Sequence, residues 1–340
     1  MNLKEKLLTT IKVALPIAFG VWLVWFIMKD LTEEDRYSIL DSIKNANYMW
    51  VALAAVVNVF SHMSRAMRWR MMIDNLGFSV KLKTSFYAVA IAYLANLIFP
   101  RLGEVSRCAV LAKNENVPVE KLLGTVIAER IVDSVGLLLL MILTFFTQYS
   151  YIEGFVIQEI LPPLLQKIEG LKENSFNLIL LALSSLLVLI TIVWFLKSKF
   201  DQLFKKIKNL FLGFSEGLKT VFTIKNPLLF IFHSLFIWAM YFLMMYLMFF
   251  SLEATQDITI GAALSVFVLG GLTFIAVQGG IGAYPAVVTQ VMMIYGFPKL
   301  AGFTFGWLAW TSQTIFIIIL GLLAYLMLMI DGKKQKSLEQ

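Results

Sequence analysis

The chain has few of the residues from which disulfides, metal sites and charged surfaces are built. Its one cysteine, Cys108, excludes an intramolecular disulfide and a cysteine-based metal cluster. The two histidines, His62 and His233, are far apart in the sequence and favour helix packing over a metal site. Only 15% of the residues are charged and 59% are hydrophobic, with a mean hydropathy of +0.79. This composition excludes an ordinary soluble domain and predicts an integral membrane protein.

Positive charge is concentrated in short loops between apolar segments. The 29 Lys and Arg residues outnumber the 22 Asp and Glu residues, but their distribution follows the positive-inside rule and indicates no nucleic-acid partner. Segments 29–44 and 149–172 lean acidic, whereas segments 65–83 and 197–225 and the end of the chain are basic. The alternation predicts that both termini lie on the cytoplasmic side.

The hydrophobic pattern predicts one transmembrane domain over residues 1–340. We expect an all-α polytopic bundle with about eight hydrophobic segments, of which about six cross the membrane fully. The apolar run Val13–Met28 is interpreted as an uncleaved first helix, because no small-x-small cleavage site follows it. Apolar residues at helical spacing predict an amphipathic helix over residues 200–222 that rests on the cytoplasmic leaflet or packs under the bundle.

Two segments combine glycine or proline with short apolar arms. The first turns at Pro100-Arg101-Leu102-Gly103-Glu104, and loop-charge parity requires residues 85–113 to enter and leave from the cytoplasmic side. The second, near residues 259–297, is interrupted at Gln278–Pro285 and enters from the opposite side. Both are predicted to be re-entrant helical hairpins, and together they indicate an inverted repeat. The alternative is that the second set of glycines only permits close helix packing.

Charged residues gather around the first hairpin. Glu129 and Asp133 share one helix face at i,i+4 spacing, so cations are expected beside them. We expect Glu104, Glu129 and Asp133 to balance three arginines, namely Arg101, Arg107 and Arg130. Such a cluster either only holds a broken helix in place or orients guanidinium groups to grip a phosphate. Arg65, Arg68 and Arg70 are interpreted as charges that set topology, although Arg65 can also reach a lipid phosphate.

Three motifs together resemble a known family. They are Asn96-Leu97-Ile98-Phe99-Pro100-Arg101-x-Gly103-Glu104-x-x-Arg107, Gly124-Thr125-x-x-x-Glu129-Arg130-x-x-Asp133, and Gly279-Gly280-Ile281-Gly282 with Tyr284. The chain resembles the membrane domain of bacterial lysylphosphatidylglycerol synthetases, also called the flippase-like or multiple-peptide-resistance-factor family. The resemblance implies a bacterial cytoplasmic (inner) membrane protein that moves phospholipid between leaflets. Because the chain ends about ten residues after its last helix, we expect a stand-alone member without the soluble aminoacyl-transferase domain.

The resulting hypothesis is a phospholipid flippase or scramblase that uses no metal and no cofactor. The predicted substrate-binding residues are Asn96, Arg101, Glu104, Arg107, Glu129, Arg130, Asp133, Gly280, Gly282 and Tyr284. An intramembrane lipid-modifying transferase is the alternative, with Glu104, Glu129 and Asp133 as candidate carboxylates, although no Walker loop or nucleophile triad is visible. A third possibility is a non-catalytic membrane partner of a separately encoded lipid-modifying or glycosyl-transferring enzyme.

Overall fold

A computed structural model describes residues 32–99, 101–155 and 224–338, together with residues 29, 157 and 162. Over these ranges the chain is helical and contains no strand, which confirms the all-α prediction. The helices are α1 (Glu33–Lys44), α2 (Tyr48–Asn75), α3 (Leu82–Ile98), α4 (Leu102–Glu115), α5 (Val119–Phe155), α6 (Pro227–Phe249), α7 (Ile260–Ala276), α8 (Ala283–Ile294) and α9 (Lys299–Leu338). The predicted first helix at Val13–Met28 and the predicted amphipathic helix at 200–222 lie outside the described residues.

Helix length and composition agree with a membrane setting. Among the described helices, α6 and the segment Lys299–Gly332 of α9 are long and apolar enough to cross a membrane. Large apolar side chains such as Phe146 and Leu228 are exposed on the outside of the bundle. In water such side chains would cluster inside, so their outward position suits a protein surrounded by lipid.

The polar helix α1 begins with a capping box. The Thr32 hydroxyl accepts a hydrogen bond from the Asp35 backbone N–H, and the Asp35 carboxylate accepts one from the Thr32 backbone N–H. This reciprocal pair satisfies two backbone donors at the start of the helix. The hydrogen bonds from Thr32 also lower the pKa of the Asp35 carboxyl group.

Two helical hairpins occupy the two segments that the sequence marks as broken. α3 and α4 pair around a break at residues 99–101, and α7 and α8 pair around residues 277–282. Helices α4 and α8 have 14 and 12 residues, or about 21 and 18 Å at 1.5 Å per residue. Both are shorter than the roughly 30 Å hydrocarbon core of a bilayer. Their re-entrant placement in the membrane stays a prediction.

Two long helices hold the hairpins together. α5 and α9 each contact a helix of both hairpins, and the short turn Gln278–Gly280 contacts α3. α2 packs along α6. One apolar core lies among α2, α3, α4 and α5 and includes Trp69 and Leu111, and a second lies mainly among α6, α7, α8 and α9 and includes Phe249 and Phe305. The charged residues of the first motif therefore lie beside the first core.

Candidate functional site

A buried ion-pair cluster joins α2 to α5. Arg65 Nη1 lies 2.6 Å from Glu129 Oε1 and 2.9 Å from Asp133 Oδ2. Arg68 Nη2 lies 3.1 Å from the same Glu129 oxygen and 2.6 Å from Asp133 Oδ1. The side chains of Arg68 and Glu129 have no exposed surface. Asp133 is about 18 Å along α5 from Lys121 at 1.5 Å per residue, and the burial of the four side chains shows that the cluster lies inside the bundle.

Arg107 reaches the same cluster from the first hairpin. Its Nη1 atom lies 2.8 Å from Glu129 Oε2, an ion pair without hydrogen-bond geometry. The guanidinium lies over the Trp69 ring, 4.7 Å from the ring centroid, which adds a cation–π contact. The side chain is 3% exposed, and its Nη2 and Nε atoms find no hydrogen-bond acceptor among the described residues. A buried guanidinium with unused donors is a ready partner for an anion.

A second, more exposed ion pair lies at the edge of the cluster. Arg130 Nε donates to Glu104 Oε1 at 3.0 Å, with the two side chains 47% and 29% exposed. This pair links α5 to the start of α4. The sequence predicts that Arg130 helps to balance the three carboxylates. The structure pairs Arg130 with Glu104, and pairs Asp133 with the two arginines of α2.

A small polar cavity lies between the hairpin and helices α2 and α5. Its lining residues are Arg65, Val89, Ala92, Tyr93, Asn96, Gly103, Glu104, Arg107 and Arg130. Its volume is about 20 Å³, room for about one water molecule. Both the buried and the exposed ion pairs reach this cavity, through the side chains of Arg65, Arg107, Arg130 and Glu104. This cavity is the candidate binding site.

The break of the first hairpin is closed by an internal hydrogen bond. Asn96 Oδ1 accepts from the backbone N–H of Gly103 at 2.8 Å. A Cβ atom at position 103 would lie 2.1 Å from the Ala92 carbonyl oxygen, so glycine is required for this close approach of α3 and α4. Because the Gly103 N–H already has an acceptor, it is not available to attract an anion, contrary to the simplest view of a helix N-terminus as an anion site.

Not every predicted site residue comes to the cavity. Arg101 is exposed at the start of α4 in a left-handed conformation with φ of 64°, and it forms no ion pair with the described carboxylates. Gly280 and Gly282 lie in the break of the second hairpin, both at positive φ. Tyr284 is buried in the second core. The structure thus brings together Asn96, Glu104, Arg107 and Arg130 at the cavity, with Glu129 and Asp133 behind them.

The two arginines of α2 take part in the buried cluster, which the sequence did not predict. Their position at the end of a span predicts a role in topology, yet Arg65 and Arg68 each contact both Glu129 and Asp133. One signal was present: positions 65 and 68 are three residues apart on a helix, and so share a face as Glu129 and Asp133 do. Two basic and two acidic residues at matching helical spacing on separate spans indicate facing ion pairs.

Neighbouring polar groups extend the cluster on its α6 side. Arg68 Nη1 donates to Ser234 Oγ at 3.2 Å. The Tyr93 and Tyr241 hydroxyls are 2.7 Å apart, and Arg65 lies over the Tyr241 ring. Buried polar groups of this kind fix the orientation of the charges they contact. Within the described residues no group of three or more metal-ligating side chains is found.

The chain belongs to the family described as Lysylphosphatidylglycerol synthase TM region, whose model matches residues 13–321. Membership confirms the resemblance noted in the sequence and the assignment as an integral membrane protein. A UPF0104 membrane protein of Methanocaldococcus jannaschii is 29% identical over 120 residues, 34% of this chain and 35% of that protein. Glycosyltransferase AglD of Haloferax volcanii is 30% identical over 100 residues, 29% of this chain and 16% of that protein. The matched regions therefore span about a third or less of these relatives, and no solved structure matches the chain.

Proposed function

We propose that this member of the Lysylphosphatidylglycerol synthase TM region family binds the phosphate of a phospholipid at Arg107 and moves the lipid between the leaflets of the cytoplasmic membrane. One observation supports this most strongly. Arg107 is buried at a polar cavity, and its Nη2 and Nε atoms have no acceptor within the described part of the chain, although one carboxylate lies beside Nη1. Guanidinium groups bind phosphate with two parallel hydrogen bonds, and such bonds are strong where water is excluded.

Entry of a headgroup requires movement at the edge of the cavity. The present volume of about 20 Å³ holds about one water molecule and is too small for a phosphate with its ester groups. The Arg130–Glu104 pair lies at this edge and is the more exposed of the ion pairs around the cavity. Movement of Arg130 and Glu104 together, still paired, opens the cavity without leaving either charge unpaired. The sequence contains no Walker loop, so directed transport must use an ion gradient or removal of lipid on one side.

The membrane topology belongs to the same proposal. With both termini cytoplasmic, the first hairpin enters from the cytoplasm and the second from outside, so that their breaks lie near the bilayer midplane as in inverted-repeat transporters. In a Cys108→Ala background, Leu102→Cys should react with an impermeant thiol reagent from the cytoplasmic side and Ile281→Cys from the external side. Labelling of position 102 from the external side alone would contradict this arrangement.

Transport in liposomes tests the function directly. Arg107→Lys keeps the charge and removes the bidentate grip, so the rate of fluorescent phospholipid movement should fall at least about tenfold with thermal stability nearly unchanged. Arg70→Lys is the control, because the Arg70 side chain on α2 is 42% exposed, lies outside the cavity lining and only approaches Asp74 at 3.7 Å. Arg101→Lys tests the predicted binding residue that lies at the turn of the first hairpin. Unchanged transport by the folded Arg107→Lys protein would remove Arg107 from the site.

A second candidate function is favoured by one relative. Glycosyltransferase AglD carries a matching segment within a longer protein, so this chain is alternatively the membrane partner of a lipid-modifying transferase, or such a transferase itself. Glu104 is then the candidate acid or base, since it is partly exposed at the cavity. Purified protein in liposomes separates the proposals: lipid movement without product supports transport, whereas product formation lost in Glu104→Gln supports the transferase.

A further inference from the structure

The buried cluster contains more positive than negative charges. Three arginines and two carboxylates meet with little or no exposed surface, namely Arg65, Arg68, Arg107, Glu129 and Asp133. With the nearby histidines neutral, the sum over this cluster, among the described residues, is one positive charge. The Arg130–Glu104 pair at the edge of the cavity adds nothing to this sum. A single uncompensated positive charge inside a membrane protein is unfavourable unless an anion joins it.

The excess charge can be assigned to one residue. Arg65 and Arg68 each contact one oxygen of Glu129 and one of Asp133. Arg107 has only the Glu129 Oε2 contact at 2.8 Å and keeps two nitrogens without an acceptor among the described residues, against only Nε for each of Arg65 and Arg68. Arg65 also lines the cavity but is paired with both carboxylates, whereas Arg107 faces the cavity from the hairpin. The unbalanced charge is therefore placed at the candidate binding site.

We infer that the cavity selects a lipid whose phosphate is a phosphodiester, with one negative charge, over a lipid phosphomonoester or diphosphate. This inference rests on the proposed function. A phosphodiester brings the buried sum to zero. A phosphomonoester carries about 1.5 to 2 negative charges at neutral pH, and it would leave excess negative charge where water cannot solvate it. Both glycerophospholipids and isoprenoid-linked phosphosugars contain the phosphodiester group.

Binding to wild-type protein gives the first test. Delipidated protein in detergent is titrated with phosphatidylglycerol, phosphatidic acid and a polyprenyl phosphoryl hexose, and thermal stability reports binding. At pH 8 we expect phosphatidylglycerol to bind at least about tenfold more tightly than phosphatidic acid. The polyprenyl phosphoryl hexose distinguishes the two lipid sources. Its affinity will equal or exceed that of phosphatidylglycerol only if the site is built for an isoprenoid chain and not for a glycerophospholipid. Equal or tighter binding of phosphatidic acid at pH 8 overturns the inference.

A change of pH alters the charge of the ligand without any mutation. The second ionisation of a phosphomonoester lies near pH 6, so phosphatidic acid should bind more tightly at pH 5.5 than at pH 8. Phosphatidylglycerol stays singly charged and reports any titration of the protein groups that face the cavity, which are Arg65, Tyr93, Glu104, Arg107 and Arg130. Its affinity should change less than threefold. A parallel change for both lipids would contradict selection by ligand charge.

A charge variant provides an independent test. Asp133→Asn raises the buried sum to two positive charges, so the preference for phosphatidylglycerol should decrease or reverse in favour of phosphatidic acid. Arg107→Gln lowers the sum to zero and should abolish stabilisation by both. If Arg107-dependent binding is found without preference between the lipids, only this inference fails. If neither lipid stabilises the wild type and Arg107→Lys transports normally, the proposed function fails as well.

Discussion

The two hairpins have similar shapes and opposite chemistry. The first breaks at Arg101, a non-glycine residue with positive φ, and its Arg107 and Glu104 form ion pairs with charged side chains of α5. The second breaks at Gly279, Gly280 and Gly282, all with positive φ, and the described residues around it are mainly apolar. The break itself therefore needs no charge. Under the proposed function, the charges of the first hairpin serve to bind an anion.

The two breaks are also held by different groups. In the first, the side-chain amide oxygen of Asn96 on α3 accepts a hydrogen bond from the backbone N–H of Gly103 on α4. In the second, the Trp310 indole N–H of α9 donates to the Gly279 carbonyl oxygen at 2.7 Å. One break is closed within its own hairpin and the other is tied to a long neighbouring helix. The first hairpin is tied to α5 through side-chain ion pairs of Arg107 and Glu104, whereas the second is tied to α9 through its backbone.

The largest expected effect comes from removing a carboxylate beside the first hairpin. Glu129→Gln leaves three buried arginines with Asp133 alone, which should lower the free energy of unfolding by about 3–5 kcal/mol. Folded yield and thermal stability in detergent measure this. The double variant Glu129→Gln with Arg107→Gln should recover part of the loss, because it restores the original sum of charge. Wild-type stability of the single variant would show that these arginines do not depend on Glu129.

A smaller effect is expected from adding a methyl group at each break. Gly103→Ala places Cβ against the Ala92 backbone oxygen, which cannot move aside, and should cost about 1–3 kcal/mol. Gly280→Ala meets the Phe274 ring at 3.0 Å, which can rotate away, so the cost should be about 1 kcal/mol and arise from its positive φ. Gly124→Ala is the control, since its Cβ would meet open space. Equal losses at positions 103 and 280 would contradict the difference in packing between the hairpins.

The smallest expected effect concerns the tie between α9 and the second break. Trp310→Phe removes the donor to the Gly279 carbonyl and should cost about 1 kcal/mol. Hydrogen exchange of residues 278–282 should become faster, while exchange in α3 and α4 stays the same. Trp307→Phe is the matched control, because the Trp307 indole packs against the Phe303 and Trp310 rings. Equal exchange in the two variants would show that the indole N–H does not hold the break.

Sequence reasoning succeeded where a residue pattern acts locally. Glycine, proline and charge next to apolar helix marked both breaks, and the i,i+4 spacing of Glu129 and Asp133 correctly predicted cations beside them. The sequence does not identify which cations pair with these carboxylates, because the pairing depends on how α2 lies against α5. Arg101 is predicted as a binding residue at the turn, but the structure leaves it exposed, with a left-handed backbone, and without an ion pair to the described carboxylates. Local sequence specified the charges, and helix packing selected their partners.

In the proposed function, the position of Arg107 beside α5 divides the path of a headgroup across the membrane. Glu129, the carboxylate beside Arg107, is eight residues from Lys121 and nineteen from Gln148, about 12 and 28 Å at 1.5 Å per residue. Lys121 and Gln148 are therefore separated by about the full thickness of a bilayer with its headgroup regions. A headgroup bound at Arg107 has a shorter part of its path on the Lys121 side and a longer part on the Gln148 side.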